Sequence, residues 1–262
     1  MIDFNKIVNK LSKRGGKIIF KDDIFELIDP ERKPEKENYL DKTIYKLRAQ
    51  NLIIPLKSGV YIFPDIEDLK LNEIDLLEKY YLKLLKKYIT HFVGSDYFIS
   101  GNKALEIHLK DYSVPKKIQI VNRTLDKKVK VGDYVIVFKT ISGTEKGKKV
   151  NLFSRFSKFI DVKQIDDIDF KISNLELALL QSALVTDNEE GIDLNLLTKT
   201  IKKYSKYLKK ETFEELARFK FIMSFNRLKE ISKNIDKNLY EVFLEIVKKN
   251  GGLFIGEGLR KI

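Results

Sequence analysis

The spacing of apolar residues in the first 63 positions predicts a compact unit of three helices and a hairpin. A first helix ends near Lys13 at a pair of glycines, a short β-prone run follows, and an aspartate pair can cap a second helix. The third helix, over residues 37–50, carries apolar side chains at i, i+4 and i+7. Two strand-like runs, residues 52–56 and 60–63, flank a tight polar turn and predict the hairpin.

This order of elements is typical of a winged helix-turn-helix, in which the third helix faces the DNA major groove and the hairpin forms the wing. A solvated lysine face on an ordinary amphipathic helix is the alternative. We place this domain at residues 1–65. The candidate DNA-binding residues lie on the third helix and at the wing tip: Lys42, Tyr45, Lys46, Arg48, Lys57 and Ser58.

The pattern changes after residue 65 and predicts a second, mixed α/β domain over residues 66–262. Residues 66–90 read as one long linking helix, 91–170 as a region with a small sheet, and 171–262 as a helical region. Ser173 and Glu176 have the spacing of a capping box, which predicts a helix start at Ser173. The expected fold class is therefore α+β.

Composition limits the chemistry. The 262 residues include 50 Lys and Arg, 38 Asp and Glu, two histidines and no cysteine, giving a net charge of +12. A disulfide, a thiolate zinc site and a cysteine nucleophile are excluded. The sequence has no signal peptide and no membrane-spanning run, so we expect a cytoplasmic protein.

Most of the positive excess lies in the middle of the chain. Residues 110–163 contain 14 Lys and Arg against 5 Asp and Glu. Such a surplus fits a polyanionic partner, and solubility alone is the alternative explanation. The basic patch that we expect from this region comprises Lys116, Lys117, Lys127, Lys128, Lys146, Lys148 and Lys149.

No catalytic or metal-binding set stands out. Nucleotidyltransferases need two carboxylates on the strand after a Gly-Ser turn, and residues 117–121 carry none. Asp166, Asp167 and Asp169 are expected in a solvated or capping loop. His108 has apolar neighbours and is expected to be structural, and His91 lies at a helix end. We therefore predict no enzyme activity, no cofactor and no metal.

Several stretches resemble AbiEi-type antitoxins in order and spacing. Residues 44–53 (IYKLRAQNLI) and 59–64 (GVYIFP) are similar to the winged helix of that family, with Asn51 in place of its usual glycine. Residues 97–109 (YFISGNKALEIHL) and 170–184 are similar to two stretches of its C-terminal domain.

The resemblance implies the antitoxin of a type IV toxin–antitoxin, or abortive-infection, pair with a role in phage defence. Such a protein represses its own operon by binding inverted repeats in double-stranded DNA, which implies a possible dimer on DNA, and it counteracts a nucleotidyltransferase toxin. Two alternatives remain open: an RNA- or protein-binding module on a winged-helix scaffold, and a catalytically empty nucleotidyltransferase-like protein.

Overall fold

The computed structural model describes residues 4–13, 18–112, 114–145, 148–184, 192–219 and 221–251. The chain forms two compact units. The first extends to His91 and also includes Val131–Asp133, and the second comprises Phe92–Lys130 and the chain from Tyr134 onward. The domain boundary suggested at residue 65 stays a prediction.

Five helices and three short strands make up the described part of the chain up to Val93. In order, they are α1 (Phe4–Lys13), β1 (Ile18–Phe20), α2 (Lys21–Ile28), α3 (Glu37–Ala49), β2 (Ile54–Lys57), β3 (Val60–Ile62), α4 (Glu73–Lys79) and α5 (Tyr81–Val93). The strands form an antiparallel sheet in the order β1-β3-β2. Ile62 in the central strand pairs with Ile18 on one side and Ile54 on the other.

The apolar stripes of the first three helices meet in one core. Ile7 of α1, Ile24 of α2 and Leu40 of α3 are fully or almost fully buried and belong to the same cluster. The sequence predicts an aspartate as the N-cap of α2. In the structure, the N-cap is Phe20, and Asp23 inside the helix accepts a hydrogen bond from the Phe20 amide at 2.9 Å. This bond satisfies a backbone donor at the junction of β1 and α2.

Helix α3 ends in a Schellman motif. Asn51 has φ +52°, and its amide donates to the carbonyl of Arg48 at 2.9 Å. The Leu52 amide donates to the carbonyl of Leu47, also at 2.9 Å. Asparagine tolerates the left-handed conformation better than most residues, so it can replace the glycine usual at this position.

The segment predicted as one linking helix is divided in the structure. A 3-10 turn at Asp68–Lys70 precedes α4, and α4 ends at Lys79, with Tyr80 between it and α5. The fully buried Asp68 carboxylate accepts from Lys79 Nζ at 2.6 Å and from the Tyr80 hydroxyl at 2.7 Å. Burial and this carboxylate together raise the pKa of Tyr80. A buried carboxylate needs hydrogen-bond partners, and Lys79 and Tyr80 supply them to Asp68 at the break between the two helices.

The rest of the described chain combines a larger sheet with further helices. The strands are β4 (Tyr97–Ser100), β5 (Lys117–Asn122), β6 (Lys127–Val131), β7 (Tyr134–Thr140), β8 (Ser142–Glu145), β9 (Lys148–Asn151), β10 (Ile160–Ile165) and β11 (Ile168–Ser173). The helices are α6 (Gly101–His108), α7 (Leu175–Ser182), α8 (Leu194–Tyr204), α9 (Lys210–Leu216), α10 (Ile222–Ser232) and α11 (Lys237–Lys249).

Six of these strands form a mixed sheet in the order β10-β11-β4-β5-β7-β6, and β8 pairs with β9 separately. The pairs β11–β4 and β5–β7 are parallel, whereas β4–β5 and β10–β11 are antiparallel. Central strands are strongly apolar, as expected of strands covered on both faces. Phe98, Phe138 and Phe170 are almost completely buried in this sheet.

Two-residue turns join two pairs of neighbouring strands. Gly132 and Asp133 connect β6 to β7, and glycine and aspartate are both common in such hairpin turns. Asp166 and Asp167 connect β10 to β11, both at positive φ, as a type I′ hairpin turn requires. The aspartates expected in a loop before a helix therefore form a strand-to-strand turn, and Asp169 lies within β11.

The start of α7 corrects the predicted capping box. The N-cap residue is Asn174, whose side chain accepts from the Leu177 amide at 2.9 Å. The Ser173 hydroxyl donates instead to Gln181 Oε1 at 2.6 Å. Glu176 accepts from the Lys209 amide rather than from the start of its own helix. Tertiary partners thus replace the local pair that the spacing suggested.

The described chain belongs to the α+β class, with helices and a mixed multi-strand sheet, as predicted. In the helical part, Phe213, Phe225 and Phe243 of α9, α10 and α11 contact one another at ring separations of 5.0–6.1 Å. None of the helices in the residues listed above as described is long and apolar enough to cross a membrane.

Candidate nucleic-acid interface

Helix α3 has one face in the core and one face exposed. Leu40, Thr43, Ile44 and Leu47 are buried. Lys21 Nζ forms an ion pair with Asp41 at 2.8 Å, which joins the start of α2 to the side of α3. Because the core contacts and the Schellman motif fix the helix at both its face and its end, its exposed side chains project from a rigid support.

Along the exposed side, four residues recur at i, i+4, i+7 and i+11 and form a single line: Asn38, Lys42, Tyr45 and Ala49. Tyr45 is 73% exposed. An exposed line of an amide, an ammonium and a phenol on a helix can donate to base edges and phosphates.

Lys46 and Arg48 are exposed on opposite margins of this line, since they are two positions apart and therefore point in very different directions. The structure thus groups Lys42 with Tyr45 and separates Lys46 from Arg48. Asn38 was not among the predicted residues. Its spacing from Lys42 and Tyr45 places it on the same line, and counting helical turns back from Tyr45 would have identified it.

The two wing-tip candidates differ in placement. Ser58 is exposed in the turn between β2 and β3. The Lys57 ammonium lies 5.9 Å from the centre of the Tyr88 ring, and burial lowers the pKa of Lys57. Burial also raises the pKa of Tyr88 to about 12. Lys57 is therefore partly engaged within its own unit, whereas Ser58 faces solvent.

The described members of the basic patch do not form one cluster. Lys116 and Lys117 lie at the start of β5, and Lys127 and Lys128 lie at the start of β6. Strand β7 separates β5 from β6. The two lysine pairs therefore lie on strands that are not neighbours, with the width of β7 between them.

Exposure also differs within the patch. Lys116, Lys127, Lys128 and Lys148 are exposed, and Lys117 is half-buried. The Lys127 ammonium lies 4.0 Å from the centre of the Phe92 ring. Lys146 and the side chain of Lys149 lie outside the described residues. Strand β6 adds Lys130, an exposed lysine that was not predicted.

His108 is held by the protein backbone. Its Nε2 lies 2.9 Å from the Ser173 carbonyl oxygen, so Nε2 carries the proton and donates. Burial lowers the pKa of His108, and the bond to Ser173 opposes that shift. In the part of the chain described by the structure, no group of three or more His, Asp or Glu side chains could hold a metal ion.

Comparison with known proteins adds a structural neighbour. No protein-family model matches the sequence, and no curated protein matches it. Among solved structures, the chain is similar to the crystal structure of the RV2827C protein from Mycobacterium tuberculosis, with a TM-score of 0.55 and 14% sequence identity. The similarity covers 94% of this chain and 80% of that chain. At this identity, the likeness concerns the fold alone.

Proposed function

We propose that this protein is a DNA-binding transcriptional repressor of the antitoxin type, with a winged helix-turn-helix at its start. Helix α3 is the recognition helix and the β2–β3 hairpin is the wing. The observation that carries this proposal is the exposed line of polar side chains on α3, in a unit whose helices and strands follow the order of that fold.

In this proposal, the line on α3 reads the major groove. Asn38 in its first turn can bond adenine, and Lys42 one turn later can donate to guanine. Tyr45 contacts a phosphate or a thymine methyl group. Lys46 and Arg48, on the margins, contact the backbone on either side, and Ser58 at the hairpin tip adds a phosphate contact.

The lysines of β5 and β6 supply attraction that does not depend on sequence. They are spread over the sheet rather than focused on one point, as suits contact with a phosphate backbone more than with a small anion. The protein acts in this scheme as a binder and not as an enzyme. Strand β5 offers no carboxylate pair, and the His108 Nε2 proton is already donated to Ser173.

The antitoxin role rests on the resemblance of residues 44–64 and 97–109 to AbiEi-type proteins. It implies repression of the protein's own operon and protection against a nucleotidyltransferase toxin. This part is tested first by sequencing the genes beside its own, where we expect a nucleotidyltransferase gene. Co-expression of the intact chain with that toxin should then restore growth. Persistent toxicity, with both proteins produced and folded, contradicts the antitoxin role but not DNA binding.

The DNA-binding role is tested by titrating the protein against the DNA upstream of its own gene and against an unrelated duplex. Each true base contact removed should cost about 1–3 kcal/mol of binding free energy, with the loss confined to the specific duplex. The variants are Asn38→Ala and Lys42→Ala. Lys202→Ala, an exposed lysine of α8, is the charge-matched control for Lys42→Ala.

Unchanged affinity and preference in the double variant Asn38→Ala/Lys42→Ala would refute the recognition-helix assignment. Exposed lysines on β6 give the RNA-binding alternative a specific basis. Tight, salt-sensitive binding to RNA without preference for the upstream duplex would favour that alternative. Such a result would mean that the first unit supports the fold and does not recognise DNA bases.

A further inference from the structure

The six-stranded sheet has two different edges. Among the described residues, no strand pairs with the outer side of β6 or of β10. Strand β6 carries the exposed lysines 127, 128 and 130, and a row of like charges on an edge strand opposes pairing with another copy. Strand β10, Ile160–Ile165, instead carries one acidic and one basic residue on either side of Val162.

The hydrogen-bond pattern of β10 determines which of its backbone groups point outward. In a two-residue hairpin, the residues that flank the turn, Ile165 and Ile168, form a hydrogen-bonded pair. Bonded and non-bonded pairs then alternate along the ladder. The Asn174 amide donates to the Phe159 carbonyl at 2.7 Å, six residues along β10 from Ile165 and in the same phase.

It follows that Ile160, Val162 and Gln164 direct their N–H and C=O groups away from β11. These are the groups that a further strand would bind. Val162 is also 61% exposed, the highest fraction for an apolar residue of this sheet. The edge therefore presents three backbone donors, three backbone acceptors and a central apolar side chain.

We propose that β10 pairs antiparallel with β10 of a second copy of this chain, about a two-fold axis through Val162. In this register, Val162 faces its own symmetry mate and Ile160 faces Gln164 of the other copy. All six outward backbone groups are then bonded. Asp161 of each copy lies directly opposite Lys163 of the other, in the non-hydrogen-bonded pairs where side chains approach most closely.

Charge selects this register over its neighbours. A shift by two residues in one direction places Asp161 opposite Asp161 of the other copy. The same shift in the other direction places Lys163 opposite Lys163. Parallel in-register pairing brings both like pairs together. Like charges directly opposite each other are destabilising, so of these four arrangements only the pairing centred on Val162 is complementary.

A single pair of short strands buries little surface compared with a permanent dimer. We therefore expect an equilibrium between monomer and dimer that shifts with protein concentration. This inference concerns association of the chain with itself and does not depend on the proposed function, so the failure of DNA binding would leave it intact.

The test measures the dissociation constant of the dimer by sedimentation equilibrium of the full chain. Asp161→Lys and Lys163→Asp should each weaken the dimer at least tenfold, because each creates two pairs of like charges. The double variant Asp161→Lys/Lys163→Asp exchanges the two charges and should recover to within about threefold of the original constant. Circular dichroism checks that each variant folds.

A second pair of variants separates the backbone from the side chain. Val162→Pro removes an outward N–H while leaving the ladder with β11 intact, and should abolish the dimer. Val162→Thr keeps that N–H and is the matched control, which should still dimerise. A wild-type chain that stays monomeric to its solubility limit overturns the proposal. So does a dimer that Val162→Pro and the single charge reversals leave unchanged.

Discussion

At the scale of single residues, the half-buried imidazole of His108 links the sheet to helix α6 and makes folding sensitive to acid. Burial lowers the pKa of His108 below its ordinary value near 6.5, and nearby Lys163 adds to this shift while Asp161 opposes it. The unfolded chain then binds more protons at this site than the folded chain. Stability present at neutral pH is therefore lost as the pH falls through the ordinary histidine range.

We expect the free energy of unfolding to fall between pH 7.5 and pH 5.5, and the variant His108→Gln to show a smaller fall. The glutamine amide can still donate to the Ser173 carbonyl but cannot take up a proton. Urea unfolding of both proteins at the two pH values measures the difference. Equal falls for the two proteins would show that His108 is not the group responsible.

At the scale of elements, the end of helix α3 depends on a backbone conformation that few residues accept. Asn51 holds φ +52° to complete the Schellman motif. Alanine in this conformation brings its Cβ close to the backbone, so Asn51→Ala should lower the free energy of unfolding by about 1 kcal/mol. Chemical unfolding measures the change.

Two variants control for the loss of the asparagine side chain itself. Asn51→Gly should be as stable as the original or slightly more stable, because glycine adopts positive φ without penalty. Gln50→Ala, at a neighbouring position with φ −95°, should have little effect. An Asn51→Ala protein as stable as Asn51→Gly would mean that the conformation at this position is not limiting.

Elements with a strong periodic pattern were predictable from the sequence, and the others were not. Alternating apolar residues over 117–122 and 134–140 predict two strands, and β5 and β7 lie there. Strands β6 and β10 were missed because an edge strand needs few apolar residues, and Val129 and Val131 alone give β6 a weak signal. The break at Tyr80 was missed because the apolar spacing of residues 66–90 runs through it, and the bond from the Tyr80 hydroxyl to Asp68, twelve residues away, leaves no trace in that spacing.

In the candidate interface, too, features set by the helical period were predictable and features set by contacts between distant residues were not. The exposed positions of Lys42 and Tyr45 follow from the helical period, and Asn38 was available from the same count. The contact of Lys57 with the Tyr88 ring could not be predicted from the helical period, because it joins the hairpin to a helix residue 31 positions further along the chain. The separation of Lys117 from Lys127 likewise depends on strand order, which charge counts do not contain.

At the scale of the whole molecule, the excess positive charge lies mostly in residues 110–163, with 14 Lys and Arg against 5 Asp and Glu, whereas the proposed base-reading side chains lie on α3. If this division holds, Lys127→Gln/Lys128→Gln should reduce the slope of log affinity against log salt concentration by up to about two. The ratio of specific to unrelated duplex affinity should stay the same.

Lys202→Gln/Lys206→Gln, with the same charge change elsewhere on the second unit, is the control and should leave the slope almost unchanged. Fluorescence titrations at four or five salt concentrations provide both slopes. A loss of preference between duplexes in the β6 variant would assign base reading to the sheet and not to α3.

The unlike edges of the six-stranded sheet also determine how large an assembly can become. When an edge strand pairs with the same strand of a second copy about a two-fold axis, neither copy has that edge left for a third chain. Assembly therefore stops at two chains. A second edge of the same kind would extend the sheet without end and produce fibres. The lysines of β6 prevent this. Replacing them with apolar residues would therefore change a closed pair into a polymerising protein.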